Sequence, residues 1–540
     1  MRKHIASHIP LVLSLLAAPS ADLLAEAPAF QTSDRCIACH NGLTTQTGED
    51  ISIGFDWRAS MMANSARDPY WQAAVRRETI DHAGSSGAIQ DECATCHMTM
   101  ARFQAHSAGR PGQVFSHLPI QDGFSNAGLA GDGVSCTVCH QIQDGNFGER
   151  ESFVGGFLID DGPADNKRLI FGQYNVDAGR QAVMRSSTGG FEPTEGRHVE
   201  ESELCATCHT LYTHTLGPNG DVIGELPEQA PYLEWRHSSY RESRSCQSCH
   251  MPAVAGETAI TKVLGQPRDG FLRHVFRGGN FFLPKMLNRY RNELGVSALP
   301  QELEAMSARS AEHLQLRSAR ITLESVELGG GRVEADLSIQ NLAGHKLPTA
   351  YPSRRVWLHV VLRDREGEVV FESGAAEPNG RIEGNDNDRD PNLYEPHHAE
   401  IRQAEQVQIY EAIMVDRNGQ PTTGLLSAVR FKKDNRLLPA GFAKETADSD
   451  IAAQGAAAED ANFQGGRDQV RYSIPVGSSP GPFQIEANLW YQPISYRWAR
   501  NLDSYDSSET RRFSRYYGAM APASRLLLTT QAAAGIGAPR

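Results

Sequence analysis

The chain has 540 residues and a formal net charge of −13, which predicts about two to four domains rather than one. Its hydrophobic content of 40% and charged content of 22% exclude wholesale disorder. Both halves are mildly acidic, so no basic domain is available to grip nucleic acid. At the N-terminus Arg2, Lys3 and His4 precede a short apolar run, Ile9 to Ala18. A positive segment, an apolar segment too short to span a bilayer, and small residues form the pattern of an export signal. Ala25-Glu26-Ala27 fits the cleavage rule, although Pro28 would follow it directly, and Ala21 offers a second cut. No later apolar run is long enough for a membrane span. The expected location is the bacterial periplasm, with secretion or the cell surface as alternatives.

All ten cysteines fall in five Cys-x-x-Cys-His motifs. These are Cys36/Cys39/His40, Cys93/Cys96/His97, Cys136/Cys139/His140, Cys205/Cys208/His209 and Cys246/Cys249/His250. This is the pattern that attaches c-type haem. Two thiols about one helical turn apart add to the two vinyl groups of one macrocycle, and the histidine beside them reaches the iron. Disulfides, zinc sites and thioredoxin-like pairs also use such cysteines, but none explains the histidines. With 19 histidines in 540 residues, five motifs ending in histidine by chance have odds of about 5 in 10^8, so the pattern reads as five covalent haems. The intervals between motifs are uneven, which argues against a solenoid. Residues 36–250 are too few to build an ordinary core around each of five rings, so the rings themselves must be the core.

Each iron takes a second axial ligand unless that position is kept open. The distal candidates are His198, seven residues before Cys205, and His274, beside Gly278 and Gly279. His82, His237 and His345 come next. His106, His117, His214 and the Met61–Met62 pair are weaker readings, because such residues more often serve a surface or the core. Histidines outnumber the sites, so counting alone does not reveal an open iron.

The segments SMMANSARDPYW (60–71), DECATCHMTMARF (91–103), GVSCTVCHQI (133–142), SELCATCHTLYT (202–213), EQAPYLEWRHSSY (228–240) and SCQSCHMP (245–252) resemble multihaem cytochromes c. Among these the chain is similar to the cytochrome c-552/c-554-like proteins of the hydroxylamine oxidoreductase-like superfamily. The likeness extends to NLAGHKLPTAYPSRR (341–355), QVQIYEAIMVD (406–416) and KDNRLLPAGF (433–442). It implies a mostly helical and irregular haem domain, haem pairs in parallel and perpendicular stacking, and bis-histidine ligation for most haems. That family holds electron carriers and enzymes alike. Related pentahaem nitrite reductases carry one Cys-x-x-Cys-Lys motif, and hydroxylamine oxidoreductases carry more motifs. This sequence departs from both.

Past residue 300 the cysteines stop. Residues 300–317 read as a connecting helix by period and propensity. Ile321–Leu328 and Val333–Ile339 alternate on either side of Gly329-Gly330-Gly331, as in a hairpin. Further strands are expected at 356–362, 369–372, 406–414, 469–474 and 483–491, and a long loop at 444–466. His345, Lys346, Arg354 and Arg355 are candidates for haem ligation or propionate pairing. Asp386, Asp388 and Asp390 resemble the start of a calcium loop but lack its glycine and terminal glutamate, so they read as a solvated loop. The predicted fold class is a multidomain chain. A signal peptide (1–27) precedes a mostly helical and irregular pentahaem cytochrome c domain (28–299). The connecting helix (300–317), an all-β sandwich-like domain (318–500) and a C-terminal helix and tail (501–540) follow. The expected function is electron carriage between redox protein partners, with catalysis on a small nitrogen or sulfur compound as the alternative.

Overall fold

A computed structural model describes residues 29–120, 124–160 and 167–538. The expected export signal lies outside these residues. The architecture is mixed α/β, with short helices and irregular chain in the first half and most of the sheet in the second. Among the described residues no helix is long and apolar enough to cross a membrane.

Helix α1 (Pro69–Asp81) starts where local chemistry dictates. Asp68 caps it by accepting from the Tyr70 and Trp71 amides, and Pro69 fills the first position, where an N–H would be orphaned. Helix α2 (Ser86–His97) ends in the second motif, and helix α3 (Ser202–His209) ends in the fourth. Helix α4 (Phe282–Arg289) buries Phe282, Leu283, Met286 and Leu287. It packs on helix α5 (Pro300–Arg317), the expected connecting helix, which opens on Pro300 with the Glu302 carboxylate returning to the Leu299 amide.

The second half holds two facing sheets. One joins β1 (Ala319–Gly329), β2 (Arg332–Asn341) and β5 (Arg467–Pro475), with the short strand Glu400–Ile401 at its edge. The other orders β4 (Val369–Ser373), β3 (Arg355–Arg363), β6 (Phe483–Gln492) and β7 (Leu526–Ile536). The β1–β2 hairpin turns on Gly330 and Gly331 at φ +58° and +74°, a two-residue turn that requires left-handed backbone at both positions. Val333, Ala335, Leu337 and Ile339 alternate inward from β2, and Leu358, Val360 and Leu362 meet them from β3. Phe371 and Tyr472 pack edge to face between the sheets, with centroids 6.3 Å apart. Strands were expected through this half, and the observed ones differ from that expectation in three places. Residues 526–536, expected as tail, form a strand paired with β6. Ala428–Asp434 forms a strand where none was expected. The 406–414 strand is split into Ile409–Tyr410 and Ala412–Asp416, which join different sheets.

One hydrophobic core crosses both halves, running from Ala59, Tyr70 and Phe153 through Phe281 and Leu303 to Leu489 and Ile536. Helix α6 (Ser508–Met520) closes it. Its Phe513 meets Tyr70 of α1 at 5.0 Å, and Glu509 pairs with Arg76 through two bonds of 3.0 and 3.2 Å. The 384–392 segment is no solvated loop. Asp388 is buried and pairs with Arg355 at 2.9 Å, while Asp386 pairs with Arg389 at 2.6 Å. Both are matched to guanidinium groups, which leaves the calcium reading without support.

Candidate functional site: five motifs around one cavity

All five motifs lie on short helices, Asp34–Ile37, α2, Cys136–Cys139, α3 and Cys246–His250, or at their C-terminal ends. Cysteines three apart on a helical turn share a face. Those faces meet in one cavity of about 1670 Å³, lined by all ten cysteines and by His40, His97, His140, His209 and His250. Drug-sized ligand pockets are about 300–1,000 Å³, so this space suits something larger than one small molecule.

Four of the five motif histidines have Nδ1 against a backbone carbonyl. Nδ1 of His40 bonds the Ile260 carbonyl at 2.7 Å, and that of His97 bonds Ser65 at 3.1 Å. His140 bonds Phe171 at 2.6 Å and His250 bonds Arg277 at 2.5 Å in the same way. A carbonyl only accepts, so each Nδ1 carries the proton and each Nε2 keeps a lone pair, the tautomer a metal-bound imidazole needs. Burial pulls His97 and His250 down to about 4 and lowers His40, His140 and His209, which keeps the rings neutral. Trp71 stacks on His97 at 4.3 Å and 3°, fixing the ring plane.

The motifs touch in a definite order. The Cys36 and Cys136, the Cys96 and Cys208, and the Cys205 and Cys246 side chains lie within electrostatic reach of each other. Cys139 lies within electrostatic reach of Cys208. The first motif thus neighbours the third, the third the fourth, and the fourth both the second and the fifth.

Among the described residues, three further histidines line the cavity. His274 faces His140 with ring centroids 6.2 Å apart, and His345 faces His250 at 6.2 Å and 17°. Their Nδ1 atoms bond the Leu272 and Lys346 carbonyls at 3.1 and 2.9 Å, leaving Nε2 free as in the motif histidines. Two metal–imidazole bonds of about 2 Å and two half-rings span roughly this separation. The third is His313 on α5, 6.0 Å from His250, with a buried Nδ1 that has no partner. Sequence reasoning passed over it. The signal was present, since His313 falls on the face of α5 that carries the buried Met306, Ser310 and Leu314.

The other distal candidates sit elsewhere. His198 is buried, with Nε2 on the Ile142 carbonyl at 2.9 Å and Phe147 and Phe171 edge-on to its ring. His82 bonds Ser427 at 3.2 Å. His237 bonds the Leu233 carbonyl at 2.8 Å and lies 3.6 Å from Asp448. None of these three lines the cavity, whereas Met61 and Met62 do.

A second cluster, His397, Asp460 and Asp468, has the composition of a metal site. Its hydrogen bonds argue otherwise. The Gln408 and Asn435 amide nitrogens both donate to His397 Nδ1, at 2.9 and 3.1 Å. Those amides are fixed, because their oxygens accept from the His398 and Glu411 backbone N–H groups. The proton therefore sits on Nε2 and is given to Asp460 at 3.1 Å, so the lone pair a metal would need is absent.

The fold has a parallel among solved structures. The chain is similar to the crystal structure of a penta-heme cytochrome c552 from Thermochromatium tepidum, with a TM-score of 0.50 and 15% sequence identity, over 94% of this chain and 100% of that one. At that identity the likeness concerns the fold. No protein-family model and no curated protein matches the chain.

Proposed function

We propose that the chain is an exported multihaem c-type cytochrome that binds five covalent haems and passes single electrons between redox protein partners. One observation carries this reading: the ten cysteines and five histidines of the motifs converge on a single cavity. The donor set fits the group, since paired thiols share helix faces and the neutral imidazoles keep Nε2 free. Haem iron supplies reversible one-electron chemistry, with a potential set by axial ligands, burial and nearby charge. The protein's part is to tether, to orient the imidazoles through backbone carbonyls and to exclude water. The motif contacts make the fourth motif the junction, with the 1–3 pair on one side and motifs 2 and 5 on the others.

A second reading is a multihaem oxidoreductase with one open iron, acting on a small nitrogen or sulfur compound. It is favoured by the histidine tally around the cavity: among the described residues three non-motif histidines line it with the five motif histidines, and they lie against only two of these, His140 and His250. The remaining positions fall to Met61, Met62 or an exchangeable ligand.

The test is stoichiometry followed by spin state. Protein from a host with haem maturation should carry five haems per chain by pyridine haemochrome and by intact mass. Unmodified thiols at any motif would remove that motif from the proposal. A ferric paramagnetic resonance spectrum that is low-spin throughout supports the carrier. A high-spin signal that shifts on adding nitrite or hydroxylamine supports the enzyme.

A further inference from the structure

One wall of the cavity holds a guanidinium that no carboxylate among the described residues pairs with and a phenol that has no hydrogen-bond partner among them. Tyr491 on β6 is 1% exposed, lines the cavity, and its buried Oη has no hydrogen-bond partner among the described residues. An orphaned buried hydroxyl costs about 1–3 kcal/mol and calls for a reason. Arg354 lines the same cavity. Its Nη1 donates to the Thr349 carbonyl at 3.1 Å, and among the described residues no carboxylate pairs with it.

Gly279 sets the two groups around one space. A Cβ built on it would lie 2.6 Å from Tyr491 Oη and 3.4 Å from Arg354 Nη1. Any other residue would fill the gap between them. The adjoining Gly278 passes 3.8 Å, by the same measure, from the His250 ring, whose Nδ1 proton goes to the Arg277 carbonyl. The charge of Arg354 also reaches His209 and His345, which puts the pair between the fourth and fifth motifs.

A guanidinium and a hydroxyl, both able to donate and neither answered by a carboxylate, select an anion with oxygen acceptors. We propose that Arg354 and Tyr491, across the Gly278–Gly279 turn, form a subsite for a carboxylate or small oxyanion. Two sources share that chemistry: a carboxylate of the group bound in the cavity, and a free oxyanion of the nitrite or sulfite kind. The inference rests on the haem reading above, and mass spectrometry of the same samples tests that reading separately.

The experiment compares mature wild-type protein with Arg354→Gln and Tyr491→Phe. Nitrite and sulfite binding are measured by calorimetry, and haem midpoint potentials by redox titration. If the anion is free, wild type binds it and both variants bind it about tenfold to a hundredfold more weakly, the loss expected for charge-assisted hydrogen bonds. If the carboxylate is resident, no added anion binds to any of the three, and both variants shift the potential of one haem. Variants that match wild type in both measurements overturn the proposal. Tyr491→Phe keeps the test decisive should Arg354→Gln fold poorly. Removing a hydroxyl without a protein partner strands no group, so a purely structural Tyr491 predicts unchanged potentials and anion binding.

Discussion

A backbone carbonyl on Nδ1 leaves Nε2 free, but only a ring that also lines the cavity can use it; His237 has the carbonyl and lies outside the cavity. His274 and His345 have that arrangement and face a motif histidine, whereas His198 spends Nε2 on the Ile142 carbonyl. Replacing His274 or His345 by alanine should leave one iron high-spin or water-bound in the ferric resonance spectrum. Replacing His198 should leave every iron as it was. A low-spin spectrum for both of the first two variants would remove them as ligands. At the other cluster, burial raises the Asp468 carboxyl to about 6. The folded chain then keeps a proton that the unfolded chain releases near pH 4. Stability contributed by this group is present below pH 4 and is lost as pH rises through about 6, by up to about 3 kcal/mol. Asp468→Asn should flatten that part of the melting profile between pH 4 and 6.5, and an unchanged slope would count against it.

Helix α1 is the element on which both the second motif and the closing helix lean. It carries Trp71, stacked on His97, and Tyr70, packed on Phe513. Its start depends on Asp68, which accepts two amides. Asp68→Ala should cost about 0.5–2 kcal/mol by thermal or chemical denaturation, while Asp68→Asn, which keeps a capping oxygen, should recover most of the loss. Equal losses in the two variants would show that the cap is not what matters. The β1–β2 hairpin and α5 are elements whose beginnings or ends are decided locally by proline, glycine and capping groups, and this is why their bounds were legible; α1 has the same kind of start at Asp68-Pro69 but was not expected. The strand at 526–536 was not, because its TTQAAAG run has no strong alternation and β6 supplies its pairing.

Across the whole molecule the two halves are joined by charge as well as by apolar packing. Lys346 Nζ and Arg436 converge on Asp434 at 2.6 and 2.7 Å, and Arg436 reaches Glu234 of the haem-motif half at 3.1 Å. Lys346 also supplies the carbonyl that orients His345. Burial would raise the Asp434 carboxyl, but Arg436 and Lys346 outweigh it and hold it well below the usual carboxylate range. Asp434→Ala leaves Lys346 buried without its carboxylate and Arg436 with Glu234 alone, and should destabilise the protein by about 3 kcal/mol; on the proposed haem reading it should also disturb the spectrum at the fifth motif. Because one core spans both halves, a chain ended at Arg317 should aggregate rather than yield a soluble haem domain. A soluble, haem-loaded fragment would show that the halves fold separately.

The motif cysteines and histidines were fixed by sequence, because the covalent chemistry demands a spacing that no common alternative explains. Alternation and turn chemistry likewise gave the sandwich strands, since period-two burial is written locally. Which further histidines line the cavity was decided by tertiary structure alone. Motif histidines hand the Nδ1 proton to carbonyls far along the chain, as His140 does to Phe171 and His40 to Ile260. His274 and His345 use the nearby Leu272 and Lys346 carbonyls, but nothing adjacent in sequence marks the motif ring each one faces. For the same reason His313 read as part of a connector, the Ile142 carbonyl on His198 Nε2 was not visible, and the pairing of Arg354 with Tyr491 across Gly279 appeared only when three distant segments met at one wall of the cavity.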